Sequence, residues 1–140
     1  MIGYTTLGSN DIEKALVFYD GVIGAFGGRR LMTMPDSRGF TLYGAGRDKP
    51  MLAITRPYDG GTANPGNGTM VALQMDRRDQ VDAVHAKAVE LGGKDEGAPG
   101  SRGGEGDKEF YGAYFRDPEG HKFCAFRMGP DSSPTQSSGA

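Results

Sequence analysis

Two histidines and one cysteine, His85, His121 and Cys124, carry all the imidazole and thiol chemistry this chain can do. A thiol becomes a nucleophile when a neighbouring base or cation lowers its pKa. No base is visibly paired with Cys124, and a lone thiol in the apolar run KFCAF reads as packing. His121 follows the turn glycine Gly120 and stands three residues before Cys124. Odd separations in an extended strand point to opposite faces, so His121 and Cys124 do not converge easily on one ion. His121 is then a candidate general base at the mouth of a cleft, or a solvated turn residue. His85 stands one turn after Val81 and reads as a half-buried structural histidine. Tyr4 is a second catalytic candidate. Both Tyr4 and Tyr114 can give a ligand a hydrogen bond or a proton, or can simply place rings in a core. The amide of Gln74 needs a partner wherever a strand buries it: a ligand, a side chain or water. Two cations stand in loops. Arg102 lies in the glycine-rich stretch Gly97–Gly106, which lacks the Gly-Lys-Ser/Thr ending and the following helix of a phosphate loop. That stretch is a flap over a cleft or an exposed disordered loop. Arg56, in RPYDG, can meet a ligand carboxylate, Asp59 or a partner chain.

These residues need strands and turns to hold them. The stretch Phe110–Phe126 reads as strand, tight turn and strand: β-formers in Tyr111–Phe115, Pro118 at the first corner, Gly120 at the end, then an apolar run. A shorter hairpin covers Phe40–Ile54. Before it come a strand at Ile2–Gly8 and a helix opened by Ser9-Asn10-Asp11. There Asn10 serves as cap and Glu13 completes a capping box. Ile12, Ala15, Leu16, Tyr19, Val22 and Ile23 form the apolar stripe of that helix. Gly27-Gly28 closes it and Arg29–Met34 is a strand. Arg56–Gly68 has too much Pro, Gly and Asn for regular structure and reads as a connector. The pattern then recurs: a strand at Thr69–Met75, a helix over Asp76–Leu91 with Val81, Val84, Ala88 and Leu91 on one face, a closing Gly92-Gly93, a short strand at Lys94–Gly97, and the hairpin. The chain is therefore βαβββ twice, repeating at about 65 residues. Gly129–Ala140 has almost no apolar content and is expected to be a disordered tail.

Composition narrows the classes. The net charge of −2 leaves no basic footprint for nucleic acid. No apolar run approaches the ~20 residues of a membrane span, and MIGYTTLGSND does not read as a signal peptide. One cysteine excludes an internal disulfide, so a cytoplasmic location is expected.

YTTLGSNDIEKALVFYDGVIG, VDAVHAKAVELGG and FRDPEGHKF, set in a duplicated βαβββ plan, resemble the vicinal oxygen chelate superfamily of glyoxalases, bleomycin-resistance proteins and extradiol dioxygenases. The likeness covers about residues 1–128. It implies an α+β fold: two tandem βαβββ modules whose curved mixed sheets enclose a groove. Module one is expected at about 1–57, the connector at about 58–67 and module two at about 68–128.

In metal-using members each module gives two ligands, from its first and last strands. Carried onto this sequence, those positions are Tyr4, Ala53, Met70 and Cys124. Ala53 has no donor atom, Met70 is a soft donor, and a phenol ionises only near pH 10. No metal site and no cofactor follow, although a divalent ion is not excluded. If these four positions face inward, strand alternation brings Thr6, Met51, Thr55, Ala72, Gln74, Gly112, Tyr114 and Phe126 to the same faces. The expected ligand-binding set is Tyr4, Thr6, Ala53, Met70, Gln74, Tyr114, Cys124 and Phe126. The resemblance thus implies a member without the usual metal ligands that binds a small organic molecule, acting as a homodimer. Three alternatives stay open: a metal-dependent lyase of the lactoylglutathione-lyase type or a dioxygenase with non-standard ligands, a metal-free acid–base enzyme, and a structural protein with a closed core.

Overall fold

Strand alternation and two amphipathic helices account for the architecture of the computed structural model, which describes residues 1–132. Module one runs β1 (Tyr4–Gly8), α1 (Ile12–Gly24), β2 (Arg29–Met34), β3 (Phe40–Gly44) and β4 (Met51–Thr55). Module two runs β5 (Met70–Gln74), α2 (Arg78–Glu90), β6 (Lys94–Ser101), β7 (Phe110–Arg116) and β8 (Lys122–Met128). Each module forms a four-stranded sheet, ordered β1-β4-β3-β2 and β5-β8-β7-β6. In both, the first strand pairs in parallel with the last and the other pairs are antiparallel. Register repeats as well: Thr6 faces Ala53 in one sheet and Ala72 faces Cys124 in the other. This is the α+β fold of two tandem βαβββ modules that the sequence implies.

One parity of the inner strands meets the helices. Leu7, Leu52 and Ile54 join Phe18, Tyr19 and Val22 of α1; Met75, Phe123 and Ala125 join Val81, Val84 and Ala88 of α2; together they form one continuous core. Val71 and Leu73 pack against its edge. Burying each large side chain contributes roughly 1.5–3 kcal/mol. Because α1 packs on α2, the modules meet through their helical layers. The opposite sheet faces are therefore turned outward, with Tyr4 52% and Met70 45% exposed. Within one chain the two open faces do not oppose each other.

Local details differ from the sequence reading. The N-cap of α1 is Asp11, which accepts from the Lys14 amide at 3.2 Å, and not Asn10. Asn10 instead clamps the connector: its Nδ2 donates to the Ala63 carbonyl at 3.0 Å and its Oδ1 accepts from the Ala63 amide at 2.7 Å. Phe18 adds a buried ring that the helical stripe omitted. β6 extends to Ser101, so half of Gly97–Gly106 is strand, broken by register shifts around Gly97. The remainder is a turn with a short 3-10 segment at Gly106–Lys108, not a disordered loop. Residues 129–132, expected to belong to a disordered tail, are held in place. Asp131 accepts from the Arg78 amide at 2.9 Å, and the Ser132 amide donates to the Asp76 carbonyl at 2.8 Å, which ties residues 129–132 to the start of α2. The rest of that expected tail, 133–140, lies outside the described residues.

Candidate functional site

Three groups of polar side chains stand out: a buried network at the seam between modules, and one set on each open sheet face.

The seam is built on the turn of the last hairpin. The Asp117 carboxylate accepts from the Tyr19 hydroxyl of α1 and shares the same oxygen with His121 Nδ1 at 2.8 Å. Its other oxygen accepts the backbone amides of Glu119 at 3.0 Å and His121 at 2.8 Å. Asp117 and His121 are each only 5% exposed. Burial by itself would raise the Asp117 carboxyl, but the bonds from His121 and Tyr19 outweigh it and hold the group below its ordinary value. Burial, followed by the Asp117 charge, pushes the Tyr19 hydroxyl well up, so it stays a donor. Glu119 extends the link, accepting from the Ser9 hydroxyl and the Asn10 amide, both at 2.6 Å. His121 is thus a structural member of the seam on the helix side of β8. The expectation of a base at a cleft mouth is corrected: alternation that sends Cys124 to the open face sends His121 into the core. His85 fits its structural reading, nearly buried with Nε2 2.9 Å from Asp95.

On the open face of module one, Tyr4 packs edge-on against Phe40 with ring centroids 6.0 Å apart. Ala53 forms the fully buried floor beside Thr6. Thr6, Phe40 and Thr55 also wall an open cavity of about 460 Å3, bordered on one side by the connector. A second cavity of about 310 Å3 adjoins it beneath Arg56 and Gly60-Gly61. Arg38 and Tyr58 line both. The sequence reading passed over Arg38. Its only signal was a place before Gly39 in a turn between strands, which does not show that the side chain turns back under the connector.

The open face of module two is flatter. Tyr114 lies beside Cys124 in register, with the Arg102 and Lys122 cations 5.6 and 5.7 Å from its ring centroid. Arg102 gives hydrogen bonds to the carbonyls of Gly100 and Ala98, so it braces β6 rather than a mobile flap. Burial raises the Cys124 thiol above its ordinary range, which favours the unreactive protonated form. Burial also raises Tyr114. Phe126 stacks on Phe110 at 5.1 Å, while Met70 and Gln74 stand exposed on the edge strand β5.

The structure therefore gathers Tyr4, Thr6 and Ala53 on one sheet, and Met70, Gln74, Tyr114, Cys124 and Phe126 on the other. Among the described residues, no three His, Cys, Asp or Glu side chains come together. A phenol, a methyl, a thioether and a buried thiol at the four ligand-equivalent positions do not fit a divalent ion of the kind held by nitrogen and oxygen donors.

Comparison with known proteins agrees with this geometry. Residues 1–125 match the family model of the Glyoxalase/Bleomycin resistance protein/Dioxygenase superfamily. The chain is similar to a glyoxalase/bleomycin resistance protein from Albidiferax ferrireducens T118, with 32% identity, a TM-score of 0.80, and coverage of 91% of this chain and 99% of that one. It is also similar to TioX from Micromonospora sp. ML1, at 18% identity and a TM-score of 0.62 over 91% of this chain and 98% of that one. Glyoxalase I from Zea mays aligns at 19% identity and a TM-score of 0.69, over 91% of this chain and 44% of that one. The last two likenesses concern the fold alone. No match was found among curated proteins.

Proposed function

Since the chain belongs to the Glyoxalase/Bleomycin resistance protein/Dioxygenase superfamily, we propose that it captures a small organic molecule between the open sheet faces of two copies, without chemistry at a metal. The observation that carries this reading is the pair of outward faces. Tyr4, Met32 and Met34 on one sheet and Met70 and Met128 on the other are all more than a third exposed. A single chain rarely leaves large apolar side chains clustered on a sheet face without a partner. Opposing module one of one copy to module two of another would cover both faces and make a groove. Its walls would be apolar, with Tyr4, Gln74 and Tyr114 as polar handles and Phe126 and Met70 as contacts; Ala53 and Cys124 would form its floor. Such a lining suits a small, partly apolar ligand.

The donor set supports capture over metal catalysis, and His121, held in the seam, supports no acid–base role. No described helix is long and apolar enough to cross a membrane.

Sedimentation equilibrium and metal analysis test the reading together. A dimer is expected, weakened at least tenfold by Met70→Glu. Small organic probes are expected to shift the Gln74 and Tyr114 amide resonances whether or not a chelator is present. A monomer with unmoved resonances, or a stoichiometric, tightly held transition metal, would overturn it.

A further inference from the structure

Arg38 is the one non-glycine residue with a positive φ among those described, at 57°. A left-handed backbone at a side-chain-bearing residue is unfavourable and must be held by its surroundings. Here the Arg38 carbonyl accepts the Arg56 amide at 3.0 Å and the Thr55 hydroxyl at 3.3 Å. These bonds draw the turn between β2 and β3 onto the start of the connector. The result places the Arg38 guanidinium 4.9 Å over the Tyr58 ring, in the wall shared by the two cavities.

That guanidinium is not neutralised. Among the described residues no carboxylate lies in ion-pair range of Arg38 or of Arg56, which lines the smaller cavity. Arg38 Nε is shut away from solvent with no acceptor, the only buried side-chain nitrogen or oxygen so left among the described residues. A buried donor without an acceptor is destabilising, and an arginine fork presents Nε and Nη together to a carboxylate. Asp59 also lines the larger cavity, but its carboxylate accepts the Gly61 amide at 2.8 Å inside its own turn. Phe40, Pro57 and Ala63 supply apolar wall; Thr6 and Asn64 add polar edges.

We infer that these adjoining cavities form an anion subsite in which Arg38, supported by Arg56, receives the carboxylate of a small organic acid while its flat apolar body packs along Phe40 and Tyr58. The inference rests on the capture reading and gives its ligand a chemical class.

Titration with phenylacetate, followed by backbone amide and arginine Nε–H resonances, tests it. Phenylacetate is expected to shift Arg38 Nε–H and the Gly60 and Gly61 amides, and the neutral phenylacetamide to bind at least tenfold more weakly. Arg38→Gly, which suits the left-handed backbone, is expected to lose at least tenfold in phenylacetate affinity, as is Arg38→Gln. Arg47→Gln, on a remote turn, should leave it unchanged. Equal binding of acid and amide, or unchanged affinity in Arg38→Gly, would overturn the anion subsite. If probes still move Gln74 and Tyr114 in that case, groove capture stands and only the subsite falls. If no probe moves any resonance, both fall.

Discussion

The two modules share strand order, pairing and register, yet their ends do different work. In module two the turn between the last strands, Asp117–Gly120, crosses the seam and binds Tyr19, Ser9 and Asn10 of module one. In module one the matching turn lies at 45–50 and, among the described residues, makes no such crossing. The polar contact of its sheet with its own helix is local: Asp20 accepts Tyr43 Oη at 2.8 Å and holds Arg30 through two bonds of 2.8 Å. The open faces diverge as well. Module one gains cavities because the connector folds over its sheet edge, whereas module two has Arg102 and Lys122 packed onto Tyr114. A duplicated unit thus divides its labour: the turn of module two fastens the chain together, and the connector laid over module one leaves cavities there.

The largest effect that could break this contrast is at Asp117. Asp117→Ala leaves the Tyr19 hydroxyl and His121 buried without their acceptor, and should lower unfolding free energy by about 3 kcal/mol in urea titrations. Asp20→Ala, at an exposed and local pair, should cost about 1 kcal/mol or less. Equal losses would erase the distinction between a seam and an ordinary surface link. The sign of the pH dependence follows from the depressed Asp117 carboxyl. Its stabilisation is complete above the unfolded pKa, near 3.9, and is lost as pH falls through the lower folded value. Urea midpoints taken from about pH 6 down to about pH 3 should fall less steeply in Asp117→Asn than in the natural chain.

A smaller difference lies in the paired glycines that end the helices. Gly27 and Gly92 take φ of 94° and 97°, and Gly28 and Gly93 donate back to Ile23 and Ala88 carbonyls at 3.0 and 2.7 Å. A Cβ on Gly93 would sit 2.7 Å from two carbonyl oxygens, those of Ala88 and Arg116; on Gly28 it would first meet an Ile23 methyl at 2.5 Å, a side chain that can yield. Gly93→Ala should therefore cost about 2–3 kcal/mol and Gly28→Ala about 1 kcal/mol, read from thermal or urea unfolding.

Those glycine pairs show what was legible in the sequence. Period-2 and period-3.6 patterns, punctuated by Gly27-Gly28 and Gly92-Gly93, were enough to place both modules, because each depends on neighbours within a few residues. The helix-side parity followed once the four ligand-equivalent positions were set on the open faces, because Leu7, Leu52, Phe123 and Ala125 take the alternate places along their strands. Long-range polar choices were hidden. Asn10 looks like a helix cap in its local context, but the approach of Ala63 from 53 residues away diverts it. His121 looks like a turn residue until α1 delivers Tyr19 against Asp117. Arg38 carries no local sign of a positive φ, since the bonds that impose it come from Thr55 and Arg56. That the modules meet through their helices depends on the whole core and is written in no single stretch.

The smallest expected effect concerns the floors of the two faces. Ala53 and Cys124 occupy equivalent register positions and are 0% and 1% exposed. If the thiol only fills space, Cys124→Ala makes module two resemble module one at this point. It should then cost about 1 kcal/mol or less from a small void and leave phenylacetate affinity at Arg38 unchanged. The native thiol should react slowly with a disulfide reagent, because burial shields it and keeps it protonated. Rapid modification, or an affinity loss in Cys124→Ala comparable to that of Arg38→Gly, would instead mean that the thiol itself, and not only the Gln74 and Tyr114 handles of its face, reaches the acid bound at Arg38.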